Sequence, residues 1–312
     1  MILDPAQYGC SSKLPFHETL SLAGAAGYKY PAGDFSVTSQ IGPYAHSIDK
    51  VFRCSANWQV FADIALNHAL GDVLVASATP LHVMLAFEFG PDAQEADRRN
   101  ATAAFFAAAR ARAVQVGKCH SSVGSGPTAV TIAVCGNRAT IEIDAPADGI
   151  IYLSRPVGAF KMHFLAEMGL NDCTAATATL SSRPSPSFPK CAKWAALSDV
   201  SGDGLAGAVL SIAARFRLDA NIALGSEMAF APDVLRVDVD CLVNPEASYE
   251  DLPLTILSSD ASHLMRLRET AGPFVGLLNS NQETPEELEH LGAMVLGTYV
   301  RGTGKVRVEW KD

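Results

Sequence analysis

Segments of helical and strand-like periodicity follow one another closely in the first half of this chain, and this alternation is the feature that most constrains its fold. Apolar residues recur at helical spacing over 58–70, and residues 83–89 have the length and composition of a buried strand. A long alanine-rich helix follows, which Asp92 could cap and which runs to about Val116. Two further strands are predicted at 129–135 and 139–143. Helices that alternate with strands predict an α/β fold.

The chain of 312 residues exceeds the usual size of one hydrophobic core and predicts two domains. A strand at 150–154 ends at Arg155-Pro-Val-Gly158, so we expect an amino-terminal domain of residues 1–154 and a carboxyl-terminal α/β domain of residues 155–312. Glycines and Pro15 around short apolar pieces predict a mobile segment at 1–30. The second half mixes a surface loop at 180–189, helices at 206–216 and 286–295, and strands at 234–239 and 254–257.

The acidic balance of the chain limits its partners. With 24 basic against 33 acidic residues the formal net charge is −9, which disfavours nucleic acid because phosphate backbones bind clustered Lys and Arg. The amino terminus lacks the features of a signal peptide and no stretch reaches about 18 apolar residues, so we expect a cytoplasmic protein without a membrane partner. Seven cysteines without close pairs predict reduced thiols and no zinc site.

The segment 199–207, Asp-Val-Ser-Gly-Asp-Gly-Leu-Ala-Gly, carries the most chemical information. Its first aspartate precedes small residues that allow close backbone approach, and an apolar helix follows whose amino end favours anions. Such a segment suits a metal-bound phosphate. An aspartate that caps the helix between glycine turns explains the same spacing equally well. The motif by itself leaves both interpretations open.

Other candidate residues are weaker when they are taken singly. Asp72 lies at the carboxyl end of the first predicted helix, where the helix dipole slightly disfavours a carboxylate. Asp34 and Asp49 belong to a type that is most often solvated at the surface. Cys10 precedes Lys13 by three positions, which favours a thiolate nucleophile, although a free surface cysteine is the simpler interpretation.

The order of these pieces resembles the selenophosphate synthetases (selenide, water dikinases), within the aminoimidazole ribonucleotide synthetase-like superfamily, over nearly the whole chain. Gly9-Cys-Ser-Ser-Lys13 is similar to the family's catalytic Cys and the Lys that follows it, and His68-Ala-Leu-Gly-Asp72 is similar to one of its metal-binding segments. Gly117-Lys-Cys-His120-Ser121 also fits the family pattern. The aspartates that the resemblance implies as metal ligands are Asp34, Asp49, Asp72 and Asp199.

This resemblance implies a fold as well as a site. The fold class is α/β (α+β), a two-domain architecture in which each domain is a mixed sheet packed with helices. In this superfamily the amino-terminal domain binds ATP and metal and pairs its strands across a homodimer. The chain is accordingly expected to form a homodimer and to bind nucleotide in the cleft between the two copies.

The resemblance also implies a reaction, in which ATP, selenide and water give selenophosphate, AMP and orthophosphate. Cys10 and Lys13 would be catalytic, Mg²⁺ the cofactor, and ATP and selenide the substrates. Repulsion between a triphosphate and several carboxylates supports the divalent cation. The residues that would contact the nucleotide are Gly117, His120, Ser121, Gly202 and Gly204.

The chain departs from the family pattern in its glycine-rich stretches. Val73 follows Asp72 where the family usually has Met-Gly-Gly, and Asp203 stands where the family has an aromatic residue. Two alternatives therefore stay open. One is a paralogue that phosphorylates another nucleophile, such as a sulfur species or an amide oxygen. The other is a catalytically weak nucleotide-binding partner that acts through assembly.

Overall fold

Two β-sheets with helices packed on them organise the chain. The computed structural model describes residues 8–10, 25–26, 39–41, 43–138, 146–182, 187–237, 239, 242 and 254–311. The predictions for Lys13, Asp34 and the strand at 139–143 fall outside these ranges. No helix within these ranges has both the length and the apolar character needed to cross a bilayer.

The first sheet has five strands in the order β1-β2-β5-β3-β4. Only β3 and β4 run parallel, and the other neighbours are antiparallel. The strands are β1 (Ser39–Ile41), β2 (Tyr44–Phe52), β3 (Ala78–Phe89), β4 (Gln115–Val123) and β5 (Ala129–Arg138). The strand predicted at 129–135 is thus confirmed and extends by three residues.

Helices α1 (Trp58–Val75) and α2 (Glu95–Ala111) pack on one face of this sheet. Asn57 caps α1, since its Oδ1 accepts the N–H of Gln59 at 2.8 Å. Aromatic rings hold the layers together: Phe105 lies edge-on to Phe61 of α1 and to Phe87 of β3, with centroids 5.3 and 5.1 Å apart.

On the opposite face of the first sheet, the part of the chain that the structure describes leaves apolar side chains exposed. Alternation along β2 buries Ala45 and Val51 against the helices, whereas Tyr44 and Ile48 are 44% and 69% exposed on the other side. Met84 of β3 is likewise exposed. An open apolar face of this kind is typical of a sheet that packs against a partner.

The second sheet has seven strands in the order β7-β10-β6-β11-β8-β12-β9. Its strands are β6 (Asp148–Leu153), β7 (Ala196–Asp199), β8 (Leu218–Leu224), β9 (Leu254–Ile256), β10 (Phe274–Asn279), β11 (Met294–Arg301) and β12 (Val306–Trp310). Strand β12 runs parallel to β8 and β9, and the other pairs are antiparallel. The helices of this half are α3 (Ala159–Glu167), α4 (Thr174–Ser181), α5 (Ser187–Lys190), α6 (Gly204–Phe216), α7 (Asp233–Arg236), α8 (Ser259–Arg266) and α9 (Glu286–His290).

Strand β6 belongs to the second sheet, although it was predicted to end the amino-terminal domain. It pairs with β10 and β11, so the chain changes sheets between residues 138 and 148 and not at 154–155. The reason is that the apolar residues of β6 are buried among carboxyl-terminal strands, which a local pattern cannot reveal. A proposed boundary is therefore better placed before β6.

Three further local predictions are wrong. The stretch 234–239 was predicted as a strand but begins with helix α7, because Pro232 and Asp233 favour a helix start. The last predicted helix ends at His290, where Gly292 with φ of +69° turns the chain into β11. Asp92 does not cap α2, which begins after Gln94 and ends at Ala111.

The segment at residues 8–10 is anchored, whereas a mobile segment was predicted over 1–30. Tyr8 is fully buried, and its ring lies 5.1 Å from that of Phe160 and 4.7 Å from that of Phe164. Gly9 forms a bridge with Phe52 at the end of β2. This short segment therefore joins the first sheet to helix α3 and fixes the position of Cys10.

Candidate functional site

Five ionisable side chains meet where helix α1 crosses between the two sheets. They come from four separate parts of the chain: the anchored segment, β2, α1 and the end of β7. We call this group the acidic cluster, and its members are Cys10, Asp49, His68, Asp72 and Asp199. The cluster contains three of the four aspartates that were predicted to bind metal. The fourth, Asp34, lies outside the described residues.

Helix α1 contributes two members of the cluster. His68 and Asp72 lie four residues apart and therefore on the same face of the helix. Asp72 lies in the last turn, where the dipole disfavours a carboxylate, as the sequence predicts. The cap residue Ala76 donates its N–H to the carbonyl of Asp72 and closes that turn. The helix thus points both side chains toward β2.

Strand β2 supplies Asp49 and a bridging serine. The hydroxyl of Ser47 donates to the carboxylate of Asp72 and lies 3.4 Å from Oδ2 of Asp49. Oδ1 of Asp49 is 3.6 Å from Nε2 of His68. The alternation of β2 places residues 47 and 49 on the helix-facing side. Ser47 therefore connects two carboxylates that would otherwise repel each other.

Cys10 and His68 form a close buried pair. Cys10 Sγ lies 2.9 Å from Nε2 of His68, and both side chains are 5% exposed. The backbone N–H of Ala271 points at Nδ1 from 3.4 Å. Nε2 of His68 bears a hydrogen in both of two cases. The first is a neutral ring whose Nδ1 accepts the N–H of Ala271, and the second is a charged ring. The imidazole therefore donates a hydrogen bond to the sulfur of Cys10.

The crowding of charge shifts the pKa values of the cluster. Burial raises the pKa of Asp72 well above its usual range, and the negative charges of Asp49 and Asp199 raise it further. Burial alone would lower the pKa of His68, but its contacts with Cys10 and the charges of Asp49 and Asp199 raise it to about 10. Such opposed shifts are typical of functional sites.

Asp199 ends β7 and is 6% exposed. A side-chain carbon at Gly71 of α1 would lie 3.8 Å from Cβ of Asp199, so this aspartate lies against the same helix as Asp72. The Asp-Val-Ser-Gly-Asp-Gly segment then turns directly into helix α6, whose N-cap is Asp203. Asp199 therefore does not cap the helix, since Asp203 occupies the N-cap position and does so without a side-chain capping hydrogen bond.

Packing within the protein accounts for Gly204, one of the two glycines predicted to contact nucleotide in this segment, and the backbone of the other, Gly202, is bonded within the protein. Gly204 has φ of +67°, and a Cβ there would lie 2.8 Å from the carbonyl oxygen of Met265. The carbonyl of Gly202 accepts Nη1 of Arg268 at 3.2 Å. A nucleotide contact of either glycine stays a prediction.

The other predicted nucleotide residues lie away from the acidic cluster. Gly117, His120 and Ser121 are in β4, the exposed edge strand of the first sheet. Strands β5 and β3 separate β4 from β2, a distance of about 14 Å at the usual spacing of strands. The structure therefore does not bring these three residues to the cluster within one copy of the chain.

The cluster suits a cation only in combination with a ligand. Among the described residues, no three His, Cys, Asp or Glu side chains are arranged to hold a metal ion by themselves. Magnesium commonly takes one or two carboxylates together with water and phosphate oxygens. Asp49, Asp72 and Asp199 supply three carboxylates, which is more than one such ion usually takes, and Asp34 lies outside the described ranges. Carboxylate oxygens are donors that magnesium prefers, so the donor set fits a magnesium ion whose other ligands would be water and phosphate oxygens.

Sequence reasoning assigned no role to three residues around the cluster. His68 was quoted only as part of a motif, although its spacing from Asp72 could have shown that both share a helix face. Ser47 and Arg155 have no such signal, because their positions depend on strand register and on the packing of β6. Arg155 lines a cavity of about 340 Å³ that adjoins His68 and Asp199.

Comparison with solved structures shows the same fold in known proteins. Thiamine monophosphate kinase from Aquifex aeolicus matches with a TM-score of 0.68 and 12% identity, over 93% of this chain and 94% of that chain. Its complex with AMPPCP and TMP matches with a TM-score of 0.69 and 12% identity, over 95% and 94%. HypE in the HypE–HypF complex matches with a TM-score of 0.64 and 14% identity, over 93% and 94%.

No family model and no curated protein matches this sequence. The identities to the solved structures are low, so the likeness establishes the fold and not the activity. The predicted fold class is therefore confirmed: this chain has the mixed α/β fold of thiamine monophosphate kinase and HypE, with two mixed sheets packed with helices.

Proposed function

We propose that this chain is an ATP-dependent phosphotransferase of the selenophosphate synthetase-like type. The reaction would convert ATP, selenide and water into selenophosphate, AMP and orthophosphate. The observation that carries the proposal is the convergence of a Cys–His pair with three aspartates at one junction of the fold. A phosphoryl-transfer site needs positioning and neutralisation of charge, and both are available there.

The carboxylates support binding of Mg²⁺ with the phosphates of ATP. Three negative side chains within one cluster repel a triphosphate, and a buried site that kept them without a cation would be unfavourable. Magnesium, when bound, would neutralise charge on the transferred phosphoryl group. Asp49, Asp72 and Asp199 would hold the ion, with Asp34 as a fourth ligand. Ser47 would keep the carboxylate of Asp72 in a fixed orientation.

Cys10 would hold the chalcogen nucleophile. Its buried sulfur accepts a hydrogen bond from Nε2 of His68 at 2.9 Å, which holds the sulfur beside the aspartates of the cluster. Its backbone N–H donates to Oγ1 of Thr270 at 3.1 Å and fixes the turn that carries it. Lys13 would attract phosphoryl oxygens. The pair is thus suited to hold a reduced selenium or sulfur species beside the phosphate.

A homodimer would bring the exposed strand β4 to the nucleotide. The open face of the first sheet carries Tyr44, Ile48 and Met84, which are apolar and exposed. Pairing of two copies through this sheet would cover these residues and place His120 and Ser121 in a cleft between copies. One solved structure of similar fold contains the ATP analogue AMPPCP. We place the protein in the cytoplasm, without nucleic acid or membrane as a partner.

Two other functions are kept as alternatives. A paralogue would use the same ATP site to phosphorylate a sulfur species or an amide oxygen, and the loss of the family's glycines after Asp72 favours a changed acceptor. A nucleotide-binding assembly partner would keep ATP binding but show little turnover. HypE, which shares the fold, occurs in a complex with HypF.

The test is an anaerobic assay with ATP, magnesium and selenide. We expect selenium-dependent formation of AMP and a selenophosphate signal by phosphorus NMR. Cys10→Ala should abolish this activity and leave ATP binding intact. Absence of both products with folded, ATP-binding protein would overturn selenide as the acceptor, and absence of ATP binding would overturn the phosphotransferase proposal itself.

A further inference from the structure

A groove with a volume of about 830 Å³ lies between the two sheets, beside the carboxyl end of helix α1. Its walls come from the last residues of α1, the start of β3, the segment 189–194, strand β7 and the loop that follows β10. No member of the acidic cluster lines it. The groove is therefore separate from the proposed site of phosphoryl transfer.

The apolar part of the groove is built around a fixed aromatic ring. Nε1 of Trp194 donates to the carbonyl of Phe188 at 2.9 Å, and a Cβ at Gly276 would lie 2.5 Å from the ring of Trp194, so this ring packs directly on β10. Val75 and Leu197 line the groove as half-buried side chains. An aromatic ring held in place beside aliphatic side chains is suited to bind an apolar side chain of a partner.

Two strands that line the groove have a backbone edge without a neighbouring strand in the described part of the chain. Ala196 and Leu197 belong to β7, the outermost strand of the second sheet, which pairs only with β10. Ala78 and Thr79 of β3 pair with β5, but the pairing of β3 with β4 begins at His82. An extended peptide can add to a free strand edge through main-chain hydrogen bonds.

The charged side chains of the groove are mainly basic, in contrast to the chain as a whole. Lys190 and Lys193 line it and are both exposed, and neither ammonium group has a hydrogen bond or ion pair with the residues that the structure describes. Glu283 is the one carboxylate in the described lining, whereas the chain has a formal net charge of −9. Unpaired ammonium groups at the rim of an apolar groove favour a partner with acidic side chains.

We infer that this groove binds an extended segment of another protein, in which apolar residues alternate with aspartate or glutamate. The backbone of the segment would pair with the free edge of β7, its apolar side chains would contact Trp194 and Leu197, and its carboxylates would lie beside Lys190 and Lys193. The strand edge favours a peptide over a small organic anion, because a peptide backbone supplies the matching row of donors and acceptors. This inference goes beyond the proposed function and does not depend on it.

Selection from a displayed library of heptapeptides tests the inference on the full chain, with apolar residues fixed at alternate positions and random residues between them. We expect aspartate and glutamate to be enriched at the random positions and the selected peptides to bind with one-to-one stoichiometry by fluorescence anisotropy. Lys190→Glu combined with Lys193→Glu should weaken this binding by about tenfold or more. Lys311→Glu, an exposed lysine outside the groove, is the matched control and should bind normally.

Two further measurements separate strand addition in the groove from charge attraction at the surface. Ala192→Trp fills the groove but keeps both lysines, and it should abolish peptide binding, whereas Ala178→Trp on the exposed side of helix α4 should not. Methylation of alternate backbone nitrogens of the peptide should weaken binding in one of the two possible registers and not in the other.

The inference is wrong if no peptide is enriched, if the enriched peptides lack acidic residues, or if methylation in neither register weakens binding. Equal binding to the unaltered protein and to the double charge-reversal variant would also overturn it. Those two substitutions are at exposed positions, so they decide the result should Ala192→Trp fail to fold.

Other occupants of the groove would give different results. Residues 139–145 of this chain also alternate apolar and acidic side chains, with Glu142 after Ile141 and Asp144 after Ile143. Peptide binding that appears only after Glu142→Gln with Asp144→Asn would show that this segment occupies the groove. A lower oligomeric state of Ala192→Trp without peptide would show that a second copy does. Either result would overturn the inference of a separate partner.

Discussion

Helix α1 carries two buried polar networks that differ in how well their charges are matched. Toward its amino end, Arg112, the residue that follows α2, donates to Oδ1 of Asp63 at 2.6 Å and to Oδ1 of Asn67 at 2.7 Å. Toward its carboxyl end, His68 and Asp72 lie among further carboxylates and a thiol. The first network pairs opposite charges and satisfies its donors. The second gathers like charges at a cost in stability that packing alone does not explain.

From this contrast we expect the Arg112 network to be structural and the acidic cluster to be functional. Arg112 is 5% exposed and also donates to the carbonyls of Ala108 and Ser181, so that it joins α1, α2 and α4. A fully satisfied network of this kind specifies the packing of its elements. A group of carboxylates whose mutual repulsion raises a pKa is instead expected where a cation or substrate binds. Mutations in the two networks should therefore separate stability from activity.

The largest effect is expected from breaking the paired network. Arg112→Met leaves the carboxylate of Asp63 without its partner, and the free energy of unfolding should fall by about 3–5 kcal/mol. Chemical denaturation measures this change. The activity of the remaining folded protein should be unaltered. Replacing both partners, as in Arg112→Met with Asp63→Leu, should recover much of the stability; a double variant as unstable as the single one would show that the pair is not the cause.

The opposite pattern is expected in the acidic cluster. Asp72→Asn keeps the hydrogen bond from Ser47 but removes one of the crowded charges. Turnover of ATP should fall about 10²–10³-fold, by analogy with loss of one preorganised electrostatic contact. The free energy of unfolding, measured without added metal, should stay the same or rise. Asp92→Asn on the surface is the control. If Asp72→Asn lost stability but kept its turnover of ATP, the role of Asp72 would be structural.

The third prediction concerns the exposed strand β4, which does not reach the acidic cluster within one copy of the chain. If His120 contacts nucleotide across a dimer, His120→Ala should weaken ATP binding by roughly tenfold. A tenfold change in affinity corresponds to about 1.4 kcal/mol, which is the contribution expected from one hydrogen bond. Titration calorimetry measures this change. Gln115→Ala at the start of the same strand is the matched control and should bind ATP normally. Equal affinities for both variants would remove β4 from the nucleotide site.

The smallest effect concerns the carboxylate of Asp219, whose pKa is shifted in the direction opposite to that of Asp72. Oδ1 of Asp219 accepts the N–H groups of Lys305 and Thr303 at 3.0 and 2.8 Å, and these backbone hydrogen bonds hold the pKa of Asp219 below its usual range. A lowered pKa stabilises the fold above the unfolded value, and this contribution is lost as the pH falls through the folded value. Asp219→Asn should therefore slightly reduce the acid-side dependence of the melting temperature. If the dependence of the melting temperature on pH were unchanged, the charge of Asp219 would not contribute to the stability of this turn.

How much of the site could be predicted follows from how far apart its residues lie along the chain. His68 and Asp72 share a helix face by local spacing, and the segment that begins at Asp199 shows its turn and helix directly. Cys10 meets His68 only because Tyr8 is buried against α3, and Asp49 meets it only through the register of β2 against α1. Contacts of this kind depend on tertiary packing, which local patterns do not encode.

The class of the fold was more predictable than the pairing of its strands. Alternating helices and strands indicated a mixed α/β fold, which the structure confirms. The placement of β6 in the second sheet depended on pairing with β10 and β11, far along the chain. The stretch after Pro232 reads as a strand by its apolar residues, but its helix start prevails in the structure. Local periodicity gave the type of most elements and could not give their partners.

The central claim is that the acidic cluster is a magnesium-dependent centre of phosphoryl transfer. Phosphorus NMR of ATP with magnesium and selenide tests it most directly on the unaltered protein and on Asp72→Asn. We predict selenide-dependent loss of the ATP signals with the unaltered protein, and retention of those signals with folded Asp72→Asn. Equal consumption of ATP by both proteins, or none by the unaltered protein, would contradict the claim.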